Sequence, residues 1–307
     1  MNPMIENPYH TSVLLHECVE GLAIKPAGIY VDVTFGGGGH SRAILDKLGP
    51  DGRLFAFDQD PDAWKQAEKI EDDRLTLITA NFRYIQKYLR IHGVKQVDGI
   101  LADFGVSSFQ LDAAERGFSI RFDGPLDMRM GPFASRDAAE VLNSYSADQL
   151  QKIFGMYGEI KNAKTLAQAV LQARTQKALK TTSEFKEILA KLAPRSREFK
   201  YFAQAFQAVR IEVNQELAVI EEFLEQAAAV LAPEGRLVIL SFHSLEDRLV
   251  KNFIRTGNCQ GKEDKDMFGV VHKPLESVIR KPITASEEEL QRNSRSRSAK
   301  LRIAVKI

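Results

Sequence analysis

Ile29-Tyr30-Val31-Asp32-Val33-Thr34-Phe35-Gly36-Gly37-Gly38-Gly39-His40-Ser41 runs from an apolar segment of strand length, through consecutive glycines, into a helical pattern. Glycine has no Cβ, so a ligand can approach the backbone closely and amides can point into the crevice above a strand end. Gly36-x-Gly38-x-x-Ser41 matches a dinucleotide fingerprint at its first two glycines and carries serine at the third. The P-loop string Gly-x-x-x-x-Gly-Lys-Ser/Thr is absent, which argues against a nucleoside triphosphatase of that class. A tight structural turn remains an alternative, although a run of glycines this long exceeds what a turn requires.

The same rhythm recurs further along the chain. Leu54–Asp58, Leu75–Ile78, Ile100–Asp103 and Leu237–Phe242 are short apolar runs without strict alternation, the pattern of parallel strands buried on both faces. Helical stretches at Ser41–Leu48, Asp62–Ile70 and Phe82–Ile91 separate the first strands, which predicts an α/β, doubly wound, Rossmann-like sheet. Between Asp103 and Leu237 helical periodicity takes over. Ser146-x-x-Gln149 and Thr181-x-x-Glu184 read as capping boxes, followed by the stripes Leu150, Ile153, Phe154, Tyr157 and Phe185, Ile188, Leu189, Leu192, with Pro194 as a stop. Val213–Leu231 reads as a helix returning to the sheet, and Leu301–Val305 as a terminal strand. The expected organisation is a discontinuous sheet domain, residues 1–108 and 209–307, interrupted by an all-helical insertion, residues 109–208.

With 44% hydrophobic and 27% charged residues, the chain has the make-up of a soluble globular protein with a substantial core. No apolar run approaches membrane-span length, and the start Met1–Glu6 has neither the basic nor the apolar part of a signal peptide. Cys18 and Cys259 lie far apart and form no framework, so a reducing, cytoplasmic location is expected. The net charge of +1 hides an asymmetry: residues 290–307 hold Arg292, Arg295, Arg297, Lys300, Arg302 and Lys306 with no acid. That segment reads either as a polyanion contact or as a solvated tail.

Asp58 closes the second strand 22 residues after Gly36, the interval at which a strand-tip carboxylate can accept both hydroxyls of a ribose. It could instead cap the next helix, though Asp60-Pro61 suits that role better. Asp103-Phe104-Gly105-Val106-Ser107-Ser108 ends the fourth strand beside the ligand crevice, so Asp103 is either a catalytic carboxylate or a helix cap. His243 and Asp247 near Ser241 and Ser244 hint at a hydrolase, but Gly-x-Ser-x-Gly is missing. No Cys-x-x-Cys or His-Glu-x-x-His occurs and His10 and His16 do not share a helical face, so no metal site is expected.

Together these motifs resemble the bacterial RsmH/MraW family, methyltransferases that use S-adenosyl-L-methionine to modify N4 of a cytosine in small-subunit (16S) ribosomal RNA. The resemblance runs through nearly the whole chain: His10–Leu15, Thr34–Ser41, Asp103–Ser108, Arg116–Ser119, Asp123–Met130, Phe206–Ile211, Gly235–Leu237, Ser241–Arg248 and Arg295–Arg302. It implies that Gly38, Gly39 and His40 surround the methionine part of the cofactor, that Asp58 takes the ribose, and that Phe82 lies beside the adenine. Asp103 and Gln110 match further cofactor-side positions. The family's helical insertion agrees with the gap between strands. Phe104 replaces an expected leucine and Phe109 an expected proline, which predicts a less rigid turn after Asp103. Lys200–Ala205 replaces a Pro-Ala-Thr-Arg-like string, leaving RNA contact there open.

Cytosine N4 is a poor nucleophile because its lone pair is delocalised into the ring. Asp103 would accept a hydrogen bond from the amine, with Ser107 or a backbone carbonyl holding the second hydrogen. The base must be single-stranded or flipped out, with Ser107, Ser108, Arg295, Arg297 and the helical insertion holding RNA, naked or in an assembling small subunit. A homodimer is neither required nor excluded. Two rivals stay open: a nicotinamide-dependent oxidoreductase, which would favour a smaller residue than Ser41, and an RNA-binding protein without activity.

Overall fold

A computed structural model describes residues 12–307; His10, Thr11 and the N-terminal residues relevant to targeting lie outside it. In chain order the elements are α1 (Leu15–Gly21), β1 (Ile29–Asp32), α2 (Gly39–Leu45), β2 (Arg53–Phe57), α3 (Pro61–Ala67), β3 (Leu75–Ile78), α4 (Ile85–Ile91) and β4 (Val97–Asp103). Next come α5 (Ser108–Asp112), α6 (Ala138–Ser144), α7 (Ala147–Met156), α8 (Ala163–Gln176), α9 (Thr182–Ala190) and α10 (Glu198–Asn214). The chain closes with α11 (Glu216–Val230), β5 (Leu231–Ser241), α12 (Ser244–Thr256), β6 (Leu275–Ser277), α13 (Glu287–Arg292) and β7 (Lys300–Lys306). It divides into two compact units, one running to Gly105 and resuming over Leu217–Ile307, the other Val106–Glu216.

The first unit holds a sheet of order β3-β2-β1-β4-β5-β7-β6. The first five strands are parallel, whereas β7 runs antiparallel to β5 and β6 antiparallel to β7. This is the doubly wound, Rossmann-like arrangement, with the strand order reversing between β1 and β4. Asp32 is opposite Leu101 and Asp103 opposite Leu240, so β1, β4 and β5 end on one edge. Because β7 is antiparallel it begins at that edge, with Lys300 opposite Ser241.

Successive strand residues point to opposite faces, and both faces are covered. Val31, Ile100, Ala102, Leu237 and Ile239 pack with Ile85 and Leu89 of α4 and Phe223 and Leu224 of α11. Tyr30, Leu101, Val238 and Leu240 pack with Cys18 and Leu22 around α1 and Ile44 of α2. Asp247 of α12 accepts hydrogen bonds from Arg302 Nε (2.7 Å) and Lys300 Nζ (3.2 Å), fastening β7. Two cations of the basic tail are therefore committed within the fold.

The second unit is helical around its own core. Phe154, Phe185 and Phe206 stack in series, with ring centroids 6.3 and 5.5 Å apart, among Leu150, Leu166, Val170 and Leu189. Ser146 and Thr181 form the expected capping boxes of α7 and α9. The unit's limits differ from the expected 109–208. Residue 209 falls inside α10, which runs unbroken to Asn214; Gln215 then adopts φ 51° and ends it, so the helix expected from Val213 starts at Glu216. At the other limit the unit starts at Val106, and Ser107 already belongs to α5 as its cap. α9 ends at Ala190, before Pro194. Phe82–Tyr84 is a 3-10 turn leading into α4 rather than part of one continuous helix.

Candidate active site at the carboxyl edge of the sheet

The edge is organised by a residue that sequence reasoning missed. Asp32 is fully buried, and its carboxylate accepts from Thr34 N (3.1 Å) and Ser41 Oγ (2.7 Å). Thr34 Oγ1 in turn accepts from Asp103 N (2.7 Å), tying the glycine loop to the end of β4. Burial raises the pKa of Asp32. Ser41 therefore supplies a donor that a third fingerprint glycine would not. An acid closing an apolar strand two residues before a threonine was the available signal.

Gly36 and Gly38 have φ of 53° and 78°, the left-handed region where glycine is unstrained. A Cβ on Gly38 would lie 2.7 Å from the Phe35 ring, and one on Gly39 2.1 Å from Ser12 Oγ. Both glycines are thus required by the loop's own packing. Over Gly36 the space is open, since a Cβ there would meet nothing closer than Thr34 O at 3.9 Å.

Asp58 pins the loop to the tip of β2: its oxygens accept from Gly36 N (2.8 Å) and Asp60 N (2.9 Å). Asp60, not Asp58, caps α3 through Asp62 N (3.0 Å). Each Asp58 oxygen retains acceptor capacity for a hydroxyl donor. Burial pushes its pKa up to about 6.

Asp103 is pushed up to about 6 by burial, with Asp32 and Glu246 adding to the rise and His40 opposing it. His40 is buried, with Nε2 3.2 Å from Val13 O and Nδ1 3.8 Å from Asp103 Oδ2. Asp103 Oδ1 is buried with no hydrogen-bond partner. Polar atoms in that state are uncommon in folded proteins and call for a specific explanation, of which a catalytic role is one. Phe82 is half-buried, stacked on Phe104 (5.8 Å) and edge-on to Phe223 (5.3 Å). The Phe104 ring fills this aromatic cluster where leucine was expected.

The remaining site residues fall on two segments. In the second unit, Ser107 Oγ accepts from Gln110 N (3.2 Å) and Gln110 Oε1 accepts from Ser107 N (3.0 Å), a capping box with Ser108 as the first helical residue. That box pins the turn in place of the missing proline, and it gives Ser107 and Gln110 an internal role that competes with the ligand roles expected of them. Phe109 is half exposed. In the first unit, Arg295 (half-buried) and Arg297 (exposed) lie on a 3-10 turn, Ser294–Ser298. The turn leads straight into Lys300, so topology delivers it to the carboxyl edge.

Just beyond β5, His243 Nε2 lies 3.0 Å from Oε1 of the fully buried Glu246, whose other oxygen accepts from Phe242 N (2.7 Å). Asp247 is committed to Arg302 and Lys300, which removes it from any hydrolase triad with His243.

The model of the MraW methylase family matches residues 7–307. A relative from Cytophaga hutchinsonii, named ribosomal RNA small subunit methyltransferase H, is 57% identical over 96% of this chain and 99% of its own. One of the same name from Bacteroides thetaiotaomicron is 52% identical over 98% of each chain. Solved structures are more distant: an rRNA methylase from Streptococcus thermophilus gives a TM-score of 0.41 at 13% identity over 99% of both chains, so the assignment rests on sequence. Matched from end to end by the family model and aligned with its relatives over nearly their full length, the chain belongs to the MraW methylase family.

Proposed function

We propose that this protein transfers a methyl group from S-adenosyl-L-methionine to N4 of a cytosine in the decoding region of bacterial small-subunit (16S) ribosomal RNA, in the cytoplasm. The relatives' printed names supply the substrate class. The single observation that carries the chemistry is the buried, unpartnered Oδ1 of Asp103 at the end of β4.

The residues present fit the cofactor. Asp58 has acceptor capacity left for two ribose hydroxyls, the space over Gly36 is open, and Gly38, Gly39 and His40 follow in the same loop. Phe82 and Gln110 complete the assigned set. S-adenosyl-L-methionine supplies a methyl group already activated as a sulfonium, so no metal is needed.

Asp103 would accept a hydrogen bond from the N4 amine, favour the pyramidal nitrogen whose lone pair points at the methyl group, and take up the N4 proton released as an N–CH3 bond replaces the S–CH3 bond. Holding that nitrogen in line contributes much of the rate. Asp32 and Thr34 fix the backbone that aims the carboxylate. Ser107, Ser108, Arg295, Arg297 and the helical unit hold the RNA around the flipped base, on a naked or partly assembled small subunit.

Isolated small subunits lacking the modification, incubated with methyl-labelled cofactor and digested to nucleosides, should yield labelled N4-methylcytidine. Label in any other nucleoside, or binding of NAD in preference to S-adenosyl-L-methionine, would overturn the proposal.

A further inference from the structure

We propose that His243 is a second acceptor for the target base, paired with Asp103 so that two acceptors face the two hydrogens of an exocyclic amine and select cytosine over uracil. The inference rests on the proposed reaction and adds to it a specificity residue.

Position supports it first. β4 and β5 are neighbours, with Asp103 opposite Leu240, and His243 follows three residues on. Phe104 N donates to Leu240 O (3.1 Å), and a Cβ on Gly105 would lie 3.8 Å from the Phe242 ring, so the turns carrying Asp103 and His243 are packed together.

Bonding supports it second. The His243 side chain is nine-tenths buried, and its Nδ1 is buried with no hydrogen-bond partner. Its Nε2 is likewise without a hydrogen bond, although it lies 3.0 Å from Oε1 of Glu246, whose carboxylate is held by the amides of Phe242 and His243. In the neutral tautomer with its proton on Nε2, the side turned to that carboxylate, Nδ1 keeps a lone pair. Asp103 Oδ1 and His243 Nδ1 are both buried without a hydrogen-bond partner, one at the end of β4 and the other two residues past the end of the neighbouring β5.

Cytosine presents N4 with two hydrogens, which match two acceptors. Uracil presents the oxygen O4, itself an acceptor, and would place three acceptors together with no proton between them. Rejection then comes from unpaired buried polar groups, the most discriminating device available to a binding site.

The test separates an acceptor from a structural histidine. The amide of asparagine occupies the position of Nδ1, and that of glutamine the position of Nε2. His243→Asn therefore keeps an acceptor toward the base, while His243→Gln keeps the contact with Glu246. Binding of an oligouridine with one central cytidine is compared with that of the all-uridine oligomer. The unmodified protein should prefer the cytidine oligomer, His243→Gln should lose that preference by roughly tenfold, and His243→Asn should retain most of it. S-adenosyl-L-methionine affinity should be equal in all three, and methyl transfer to small subunits should show raised KM more than lowered kcat in His243→Gln. Preference retained in His243→Gln and lost in His243→Asn, or absent from the unmodified protein, overturns the inference. ¹⁵N-histidine NMR of the unmodified protein covers the case of poorly folding variants. The Nδ1 resonance should move on adding the cytidine oligomer and not the uridine one, and an unmoved resonance equally overturns it. Failure of the proposed function is read separately, as absence of N4-methylcytidine from small subunits treated with the unmodified protein.

Discussion

Asp103→Asn keeps the shape of the side chain and removes its charge-assisted acceptor. Methyl transfer should fall far more than S-adenosyl-L-methionine affinity, measured by turnover and calorimetry on one preparation. Proportionate losses would make Asp103 a cofactor ligand instead. Since burial raises this carboxyl to about 6, the working carboxylate accumulates only as pH rises through that value. kcat at saturating cofactor, where the titration of Asp58 in the same range no longer limits binding, should therefore climb from pH 5 to about 7 and then level, and the variant's residual kcat should lack that limb. Asp58→Ala should weaken cofactor binding by roughly 1.5–3 kcal/mol per lost charged hydrogen bond. It should also lower the melting temperature, because Asp58 holds Gly36 and Asp60 through their amides. Unchanged cofactor affinity in a folded variant would leave Asp58 as a loop pin alone.

Elements with local punctuation are legible in the order of residues itself. Ser146-x-x-Gln149 and Thr181-x-x-Glu184 start helices where they read, because a capping box is satisfied within four residues. Thr181→Ala should accordingly cost about 1 kcal/mol in urea unfolding, with no change in S-adenosyl-L-methionine affinity. The tail was half legible: its strand was expected, but the pairing of Lys300 and Arg302 with Asp247 was not, since the partner lies 53 and 55 residues away. The turn carrying Arg295 and Arg297 is the part of the tail proposed to contact RNA. Arg295→Gln with Arg297→Gln should preserve folding and cofactor affinity and flatten the log-affinity against log-salt slope for single-stranded RNA by roughly 1.4, at about 0.7 per phosphate contact. An unchanged slope would assign RNA holding to the helical unit.

The whole molecule stores unfavourable charge at its carboxyl edge. Asp58 and Asp103 both sit near 6 in the folded state, above the ordinary carboxylate value of 3.8. A raised carboxyl favours the fold while protonated and loses that contribution as pH rises from about 4 through 6. Asp247 and Glu184 are lowered by their cationic partners and act oppositely, losing their contribution as pH falls toward and below the ordinary carboxylate range. Free energies of urea unfolding at pH 4.5 and 7 should show Asp58→Asn gaining on the unmodified protein by about 1–3 kcal/mol between the two, the ionisation cost being absent from the amide. A constant difference would mean that Asp58 titrates normally.

Read alone, the chain yielded its parallel strands, its glycine loop and the places of Asp58 and Asp103 at strand ends, because apolar runs, spacing and strand-tip acids are local patterns. It also yielded the family, because many unusual strings occur in one order. The helix limits at Asn214 and Glu216 needed three dimensions: one residue in a left-handed conformation, Gln215, separates two helices that share a continuous periodic pattern. The buried links Asp32 to Ser41, Thr34 to Asp103 and His243 to Glu246 were likewise hidden, although their members were all visible as letters. Hydrogen bonding and burial at that edge depend on which strands become neighbours, and adjacency of β4 with β5 across more than a hundred residues is a property of packing, not of sequence spacing.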